Sequence, residues 1–163
     1  MLRRWLLVAA LLLPAPAEEL AAGKFLVADR ALADKDFAHT IILLIYYGKD
    51  GAMGLVLNRP LDIPMSKLFP DRKGPPVPLY DGGPISSGVR MLFRSPATPK
   101  DALHLFGDVY LTSTVDRIKD ATGVFRVYVG CTGWSNGQLQ AEVARGTWHL
   151  APADAAIVFS KIR

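Results

Sequence analysis

The sequence predicts a single compact α+β domain, built mainly from an antiparallel sheet with a few peripheral helices. Three observations favour this class. The chain has 163 residues, half of them hydrophobic, which is enough for one core but too little for two domains. Short apolar, β-branched runs alternate with turns rich in glycine and proline. Two segments combine helical spacing with capping residues at their ends.

The first third of the chain predicts a central β-hairpin. A short strand over 24–28 comes first. The apolar run 40–47 indicates a strand buried on both faces, because eight residues suit a strand better than a helix. Gly48-Lys49-Asp50-Gly51 predicts a turn that delivers the chain into a strand over 52–58. We therefore expect these two strands to pair at the centre of the fold.

The remainder predicts shorter strands and further helices. Pro60 is expected to end the preceding strand, and a short helix is expected over 64–69. Ser113 and Asp116 resemble a capping box at the start of a helix over 113–122. The other expected elements are strands at 77–80, 88–94, 109–112 and 125–130, a helix at 136–145, and edge segments at 148–150 and 157–159.

Residues 133–137, Gly-Trp-Ser-Asn-Gly, match the Gly-x-Ser-x-Gly nucleophile elbow of serine hydrolases. The elbow requires an acid and then a histidine downstream, whereas His149 precedes Asp154 here. Ser135, with Gln138 three residues later, also fits a capping box at a helix start. We expect the capping role, with a serine-dependent hydrolase as an alternative.

The first seventeen residues predict a cleavable export signal. Two arginines precede an apolar run over 5–13, and the small residues Ala15 and Ala17 suit signal peptidase. Nine apolar residues are far fewer than the roughly 20 that cross a bilayer. We therefore expect cleavage after Ala17, a mature domain over 18–163 without a transmembrane span, and a periplasmic location.

Charge and cysteine content argue against several classes of function. The chain has 19 basic and 15 acidic residues, and cleavage would remove two arginines, leaving a net charge of +2. The two signs are mixed along the chain, so no basic track for nucleic acid is evident. Cys131 is the only cysteine and cannot form an internal disulfide. The three histidines are too dispersed to indicate zinc. We predict no metal, no cofactor and, for an exported chain, no nucleic-acid partner.

Two further groups of residues could act as a nucleophile or bind an anion, but the sequence identifies no reaction or ligand for either. A thiolate at Cys131, close to a helix N-terminus, could act as a nucleophile. No spacing brings a histidine to it, so a buried, inert thiol is the simpler interpretation.

Polar turns at 58–60 and 81–84 both leave strands. Arg59 could clamp an anion there, or hold the two turns together.

Residues 51–61, GAMGLVLNRPL, resemble the signature of the YqgE/AlgH family, also called UPF0301. Further motifs of the family are matched in order by Gly82-Gly83-Pro84-Ile85, Gly133-Trp134, Gly137-Gln138-Leu139, Trp148 and Pro152-Ala153-Asp154. The resemblance spans about residues 23–159. It implies a compact α+β domain with a bent, barrel-like sheet. It implies no catalytic residues, and the name AlgH reflects a proposed role in regulating alginate production.

From these observations we expect a non-enzymatic module of the bacterial cell envelope that binds a protein or a small molecule. The candidate binding residues are Asn58, Arg59, Gly82, Gly83, Trp134 and Gln138. The alternatives are a transcriptional regulator, by family analogy, and a hydrolase that uses Cys131 or Ser135. Export would remove the regulatory role for this chain, because DNA and protein would lie on opposite sides of the membrane.

Overall fold

The predicted fold class is confirmed, as ten mostly antiparallel strands form a curled half-barrel accompanied by three short helices. The computed structural model describes residues 17–161, so the predicted export signal lies outside the described residues except for Ala17. The strands are β1 (Lys24–Ala28), β2 (Ile41–Gly48), β3 (Gly51–Val56), β4 (Pro60–Pro64), β5 (Pro78–Asp81), β6 (Ile85–Arg94), β7 (Leu103–Phe106), β8 (Val109–Thr112), β9 (Phe125–Ser135) and β10 (Trp148–Pro152). The helices are α1 (Val115–Lys119), α2 (Gln138–Ala144) and α3 (Ala155–Val158). Within residues 17–161, no helix is long and apolar enough to span a membrane.

The predicted hairpin of β2 and β3 is confirmed and lies between two hydrophobic clusters. Leu43 and Ile45 pack into one cluster with residues of β6, β8 and β9. Ile42 and Leu44 point to the opposite face and pack with Trp134 and the rest of the second cluster. Because side chains alternate along a strand, burial on both faces explains why this run is continuously apolar.

The long strand β9 organises the sheet. On one edge it pairs with β6, from Phe125 to Cys131. On its other edge it pairs with β5 in parallel, over 127–129, and then with β3 over 132–135. The amide of Val56, at the end of β3, donates to the carbonyl of Gly82, which places the ends of β3 and β5 on that same edge. β5 and β6 are consecutive in sequence and flank β9 on opposite sides.

The short connection 82–84 between β5 and β6 must therefore cross one face of β9. A Cβ on Gly82 would lie 2.3 Å from the carbonyl oxygen of Gly130, and one on Gly83 would lie 2.5 Å from the carbonyl carbon of Cys131. Gly83 also has a φ of +143°, a conformation that favours glycine. The two glycines allow backbone to pass directly over backbone.

Several strand predictions need correction. Pro60 opens a strand, β4, instead of only ending one, and this is tolerated because β4 pairs with β5 alone and lies at an edge. The helix predicted over 64–69 is a single 3-10 turn at Met65–Lys67. Sequence analysis missed β7, whose first two residues, Leu103 and His104, are both exposed and give no alternation of apolar and polar side chains.

The helices are shorter than predicted. α1 spans only Val115–Lys119, and Val115 is 60% exposed instead of lying on the buried face. β9 continues through Ser135, so Ser135 belongs to the strand and α2 starts at Gln138. A helix, α3, replaces the edge segment expected at 157–159. Asp154 caps it, because its carboxylate accepts a hydrogen bond from the amide of Ala156 at 2.8 Å.

Candidate functional site

An open surface groove lies where the β2–β3 turn, the start of β6 and the end of β9 meet. Its volume is about 510 Å³, which is within the range of ligand pockets. We call it the Cys131 groove. It is lined by Tyr46, Asp50, Gly51, Ala52, Met53, Ile85, Ser87, Cys131, Gly133, Trp134 and Ser135.

Two other grooves have a more charged lining. One, of about 480 Å³, contains the ion pair of Arg117 with Asp101, whose nitrogen and oxygen are 2.6 Å apart, together with Asp116 and Asp120. The other, of about 380 Å³, is bordered by Arg90, Lys100 and hydroxyl side chains. The Cys131 groove differs from both in its apolar walls.

The thiol of Cys131 is buried at the wall of its groove. The Ser87 hydroxyl donates a hydrogen bond to Sγ at 3.0 Å, and Arg90 Nη1 in turn lies 2.9 Å from that hydroxyl oxygen. Among residues 17–161, the hydrogen bonds made by histidine side chains go elsewhere, to the carbonyl of Gly107 and to Asp29. The described residues therefore give Cys131 no hydrogen-bonded histidine base.

Ser135 is held by Gln138 instead of by a catalytic partner. Its amide donates to Gln138 Oε1 at 3.0 Å, and its hydroxyl lies 3.3 Å from the same oxygen. The contact joins the two residues predicted to form a capping box, but α2 is capped at Gly137, so the predicted N-cap role of Ser135 is wrong. In the described part of the chain, no histidine is hydrogen-bonded to Ser135, so the geometry does not form the triad of a hydrolase.

Among residues 17–161, Asp50 is the one acidic side chain that lines the Cys131 groove, and no lysine, arginine or histidine of this range lines it. The hydroxyl of Tyr46 donates to Asp50 Oδ1 at 2.6 Å. This hydrogen bond lowers the pKa of Asp50 and raises the pKa of Tyr46. At neutral pH the groove therefore combines an apolar wall with one negative charge.

Trp134 borders the groove, but its indole ring packs in the second cluster, on the face of the sheet opposite Cys131, where α2 holds it. Its indole ring packs edge-on against Trp148, with ring centroids 6.1 Å apart. The two indole N–H groups donate to the same oxygen of Glu142, at 2.9 and 2.8 Å. Gln138 donates to the other oxygen of that carboxylate at 3.1 Å. The network fixes the orientation of this ring within the second cluster.

The predicted binding residues lie in two separate regions of the structure. Asn58 lies beyond the end of β3 away from the turn, where its side chain accepts from the amide of Ile41 at 3.0 Å and donates to the carbonyl of His39 at 2.8 Å. Arg59 donates to the carbonyl of Lys35 at 3.2 Å. Both contacts tie the segment before β2 to the end of β3, and the ligand-binding roles of these side chains stay predictions.

The other four predicted residues lie nearer the groove. Gly82 and Gly83 form the crossing over β9 beside Cys131, and Trp134 lines the groove directly. Gln138 contacts Ser135, which also lines it. Sequence analysis missed the walls supplied by Tyr46, Met53 and Ile85. Tyr46 and Met53 lie in apolar runs that gave no sign of which members would remain exposed, and Ile85 stands between Pro84 and two serines without a strand pattern.

Known proteins with similar sequences are found along nearly the whole chain. The AlgH-like family model matches residues 25–163. A UPF0301 protein from Stutzerimonas stutzeri is 36% identical over 148 residues, which cover 83% of this chain and 78% of that protein. A UPF0301 protein from Hahella chejuensis is 34% identical over 147 residues, covering 84% and 80%.

Two solved structures have the same fold. The crystal structure of a Corynebacterium diphtheriae protein has a TM-score of 0.77 and 25% identity, and the match covers 90% of this chain and 83% of that one. The solution structure of the AlgH protein from Pseudomonas aeruginosa has a TM-score of 0.70 and 32% identity, covering 86% and 82%. Sequence and fold together show that this chain belongs to the AlgH-like family.

Proposed function

We propose that this protein is a non-enzymatic binding module of the bacterial cell envelope and that its ligand occupies the Cys131 groove. The supporting observation is the convergence of exposed apolar side chains on one concavity. Tyr46 and Ile85 are 44% and 46% exposed, and they line the same groove as Met53. Exposed apolar groups gathered in a groove with few polar ones are typical of binding sites.

Binding without chemistry fits the polar groups around the groove. The Ser87 hydroxyl is directed at the Cys131 sulfur, and Gln138 occupies the amide and hydroxyl of Ser135. Asp50 already accepts the Tyr46 hydroxyl. These contacts hold the walls in place, and a rigid, preformed wall reduces the entropy that a ligand loses on binding.

A neutral apolar dye such as Nile red tests the groove directly. We expect the dye to bind, and we expect Ile85→Asp to weaken its binding by about tenfold, because a carboxylate placed on the apolar wall opposes its burial. Fluorescence titration measures the affinity. Ile85 is already half-exposed, so the folded state is expected to tolerate the change.

The matched control is Leu103→Asp. Leu103 is 57% exposed on β7 and does not line the Cys131 groove, so this variant adds the same charge at a similar site elsewhere. It is expected to bind the dye like the unmodified protein. Equal weakening by both substitutions, or no binding at all, would contradict a ligand site in this groove.

The envelope location rests on the N-terminal sequence, with two arginines, an apolar run and Ala15 and Ala17 before Glu18. Cell fractionation with intact-mass measurement of the full-length protein tests it. We expect a periplasmic species that begins at Glu18. An uncleaved cytoplasmic species would contradict export and would make nucleic-acid binding at low salt the next measurement, as the regulatory alternative requires.

A further inference from the structure

One edge of β9 is open beside the Cys131 groove. β6 pairs with this edge only as far as Cys131, which lies opposite Ile85. Residues 132–135 pair with β3 on the other edge. In the described sheet no strand is paired with residues 133–135 on the β6 side. The end of β9 therefore has a strand partner on one side only.

The direction of the Ser135 amide shows which backbone groups face this open edge. That amide donates to the side chain of Gln138 at 3.0 Å, away from β3. Backbone groups of an antiparallel strand alternate between its two edges, so Gly133, two residues earlier, directs its N–H and C=O to the same side as Ser135. Gly133 is exposed and has no side chain to cover these groups.

An open strand edge can form backbone hydrogen bonds with another extended chain. Its backbone can supply both a donor and an acceptor to Gly133, and its alternate side chains would then point toward the sheet face that forms the groove. Ile85 and Met53 offer an apolar surface for such a side chain. A compact small molecule would meet the apolar wall but would not reproduce this pairing.

The charge of the groove indicates which kind of side chain the occupant carries. Asp50 is the one charged side chain that the described part of the chain contributes to its lining, and only one of its carboxylate oxygens is used by Tyr46. A lysine or arginine has a flexible apolar stem that can lie along the groove and a cationic end that complements this carboxylate.

We propose that the occupant is an extended peptide segment of a partner protein, which adds a strand to β9 at Gly133 and directs a lysine or arginine toward Asp50. This inference rests on the proposed function, because it uses the same groove. It names the class of ligand, a cationic and otherwise apolar peptide in the β conformation.

The probe is a library of nonapeptides with capped ends, in which apolar residues alternate with varied ones and one position is fixed as lysine. We expect the selected peptides to slow hydrogen exchange at the Gly133 amide, because that amide becomes part of a sheet. N-methylation of the peptide amides that face β9 is expected to weaken binding by about tenfold. Unchanged exchange at Gly133, or equal binding of the methylated peptide, would overturn the strand pairing.

Asp50→Asn tests the charge while keeping an oxygen that can accept from Tyr46. We expect it to weaken the lysine peptides about two- to fivefold, the range for an exposed ion pair, and to leave a norleucine version unchanged. Asp62→Asn, on the exposed strand β4, is the control and is expected to have no effect. An equal effect of both substitutions would overturn the role of Asp50.

The dye titration separates this inference from the proposed function. Dye binding that depends on Ile85, with no library peptide bound, would overturn the peptide inference and leave the groove as a small-molecule site. Failure of both dye and peptides would overturn both proposals. Sedimentation that shows dimers, lost when the edge of β9 is blocked, would identify a second copy of the chain as the occupant and would also overturn the inference.

Discussion

Replacing Gly83 with alanine is expected to lower the free energy of unfolding by roughly 3 to 5 kcal/mol, a large part of the stability of a typical domain. The new Cβ would lie 2.5 Å from the carbonyl carbon and oxygen of Cys131. Those atoms belong to the central strand and cannot move aside without disturbing its pairing with β6. The φ of +143° adds backbone strain. Urea denaturation followed by tryptophan fluorescence measures the loss.

Two control variants separate the steric effect from the backbone strain. Gly123→Ala places a side chain at a φ of +78° with no atom within 4 Å, so it is expected to cost only about 1 kcal/mol. Gly82→Ala introduces a contact of 2.3 Å to the carbonyl oxygen of Gly130 without a positive φ, and is expected to behave like Gly83→Ala. If Gly83→Ala lowered the free energy of unfolding as little as Gly123→Ala does, residues 82–84 could not pass so close to β9.

Replacing Glu142 with leucine is expected to cost about 2 to 4 kcal/mol, because two indole N–H groups lose their shared acceptor in a largely buried setting. Both Trp134 and Trp148 are buried, and both donate to Glu142 Oε2. The change also removes the partner of Gln138 Nε2. Thermal unfolding measures the stability, and near-ultraviolet circular dichroism reports whether the indole rings keep a fixed orientation.

Glu142→Gln is the conservative comparison, because its amide oxygen can still accept from both indoles. We expect it to lose less than half of the stability lost by the leucine variant. Gln140→Leu changes an exposed position of the same helix, where the side chain donates to the Tyr47 hydroxyl, and is expected to have a small effect. A leucine variant at 142 as stable as the unmodified protein would show that the shared acceptor is unimportant.

The elements best predicted from sequence are those specified by neighbouring residues. The β2–β3 hairpin follows from two apolar runs around a four-residue turn, and α2 follows from a helical segment that ends near Gly146. Element boundaries were less accurate where a tertiary contact decides them. β9 extends through Ser135 because β3 pairs with residues 132–135, and no local pattern signals that partner.

The groove itself could not be predicted from the residues alone. Its walls come from segments distant in sequence, and exposure of Ile85 depends on β6 leaving the edge of β9 at Cys131. Motif matching favoured Asn58, which ties the segment before β2 to the end of β3, and Gly82 and Gly83, which form the crossing beside Cys131. Trp134, which was selected from the family motif, was the predicted residue that borders it, and its ring packs on the other face of the sheet.

The crossing of residues 82–84 over β9 has a consequence for the order of folding. β5 and β6 cannot pair with β9 when they are synthesised, because β9, the strand between them, follows α1 in the chain. Non-local pairing of this kind raises contact order and slows folding. A nascent chain that ends before residue 125 therefore lacks the template on which β3, β5 and β6 assemble. The domain acquires its central sheet only late in synthesis.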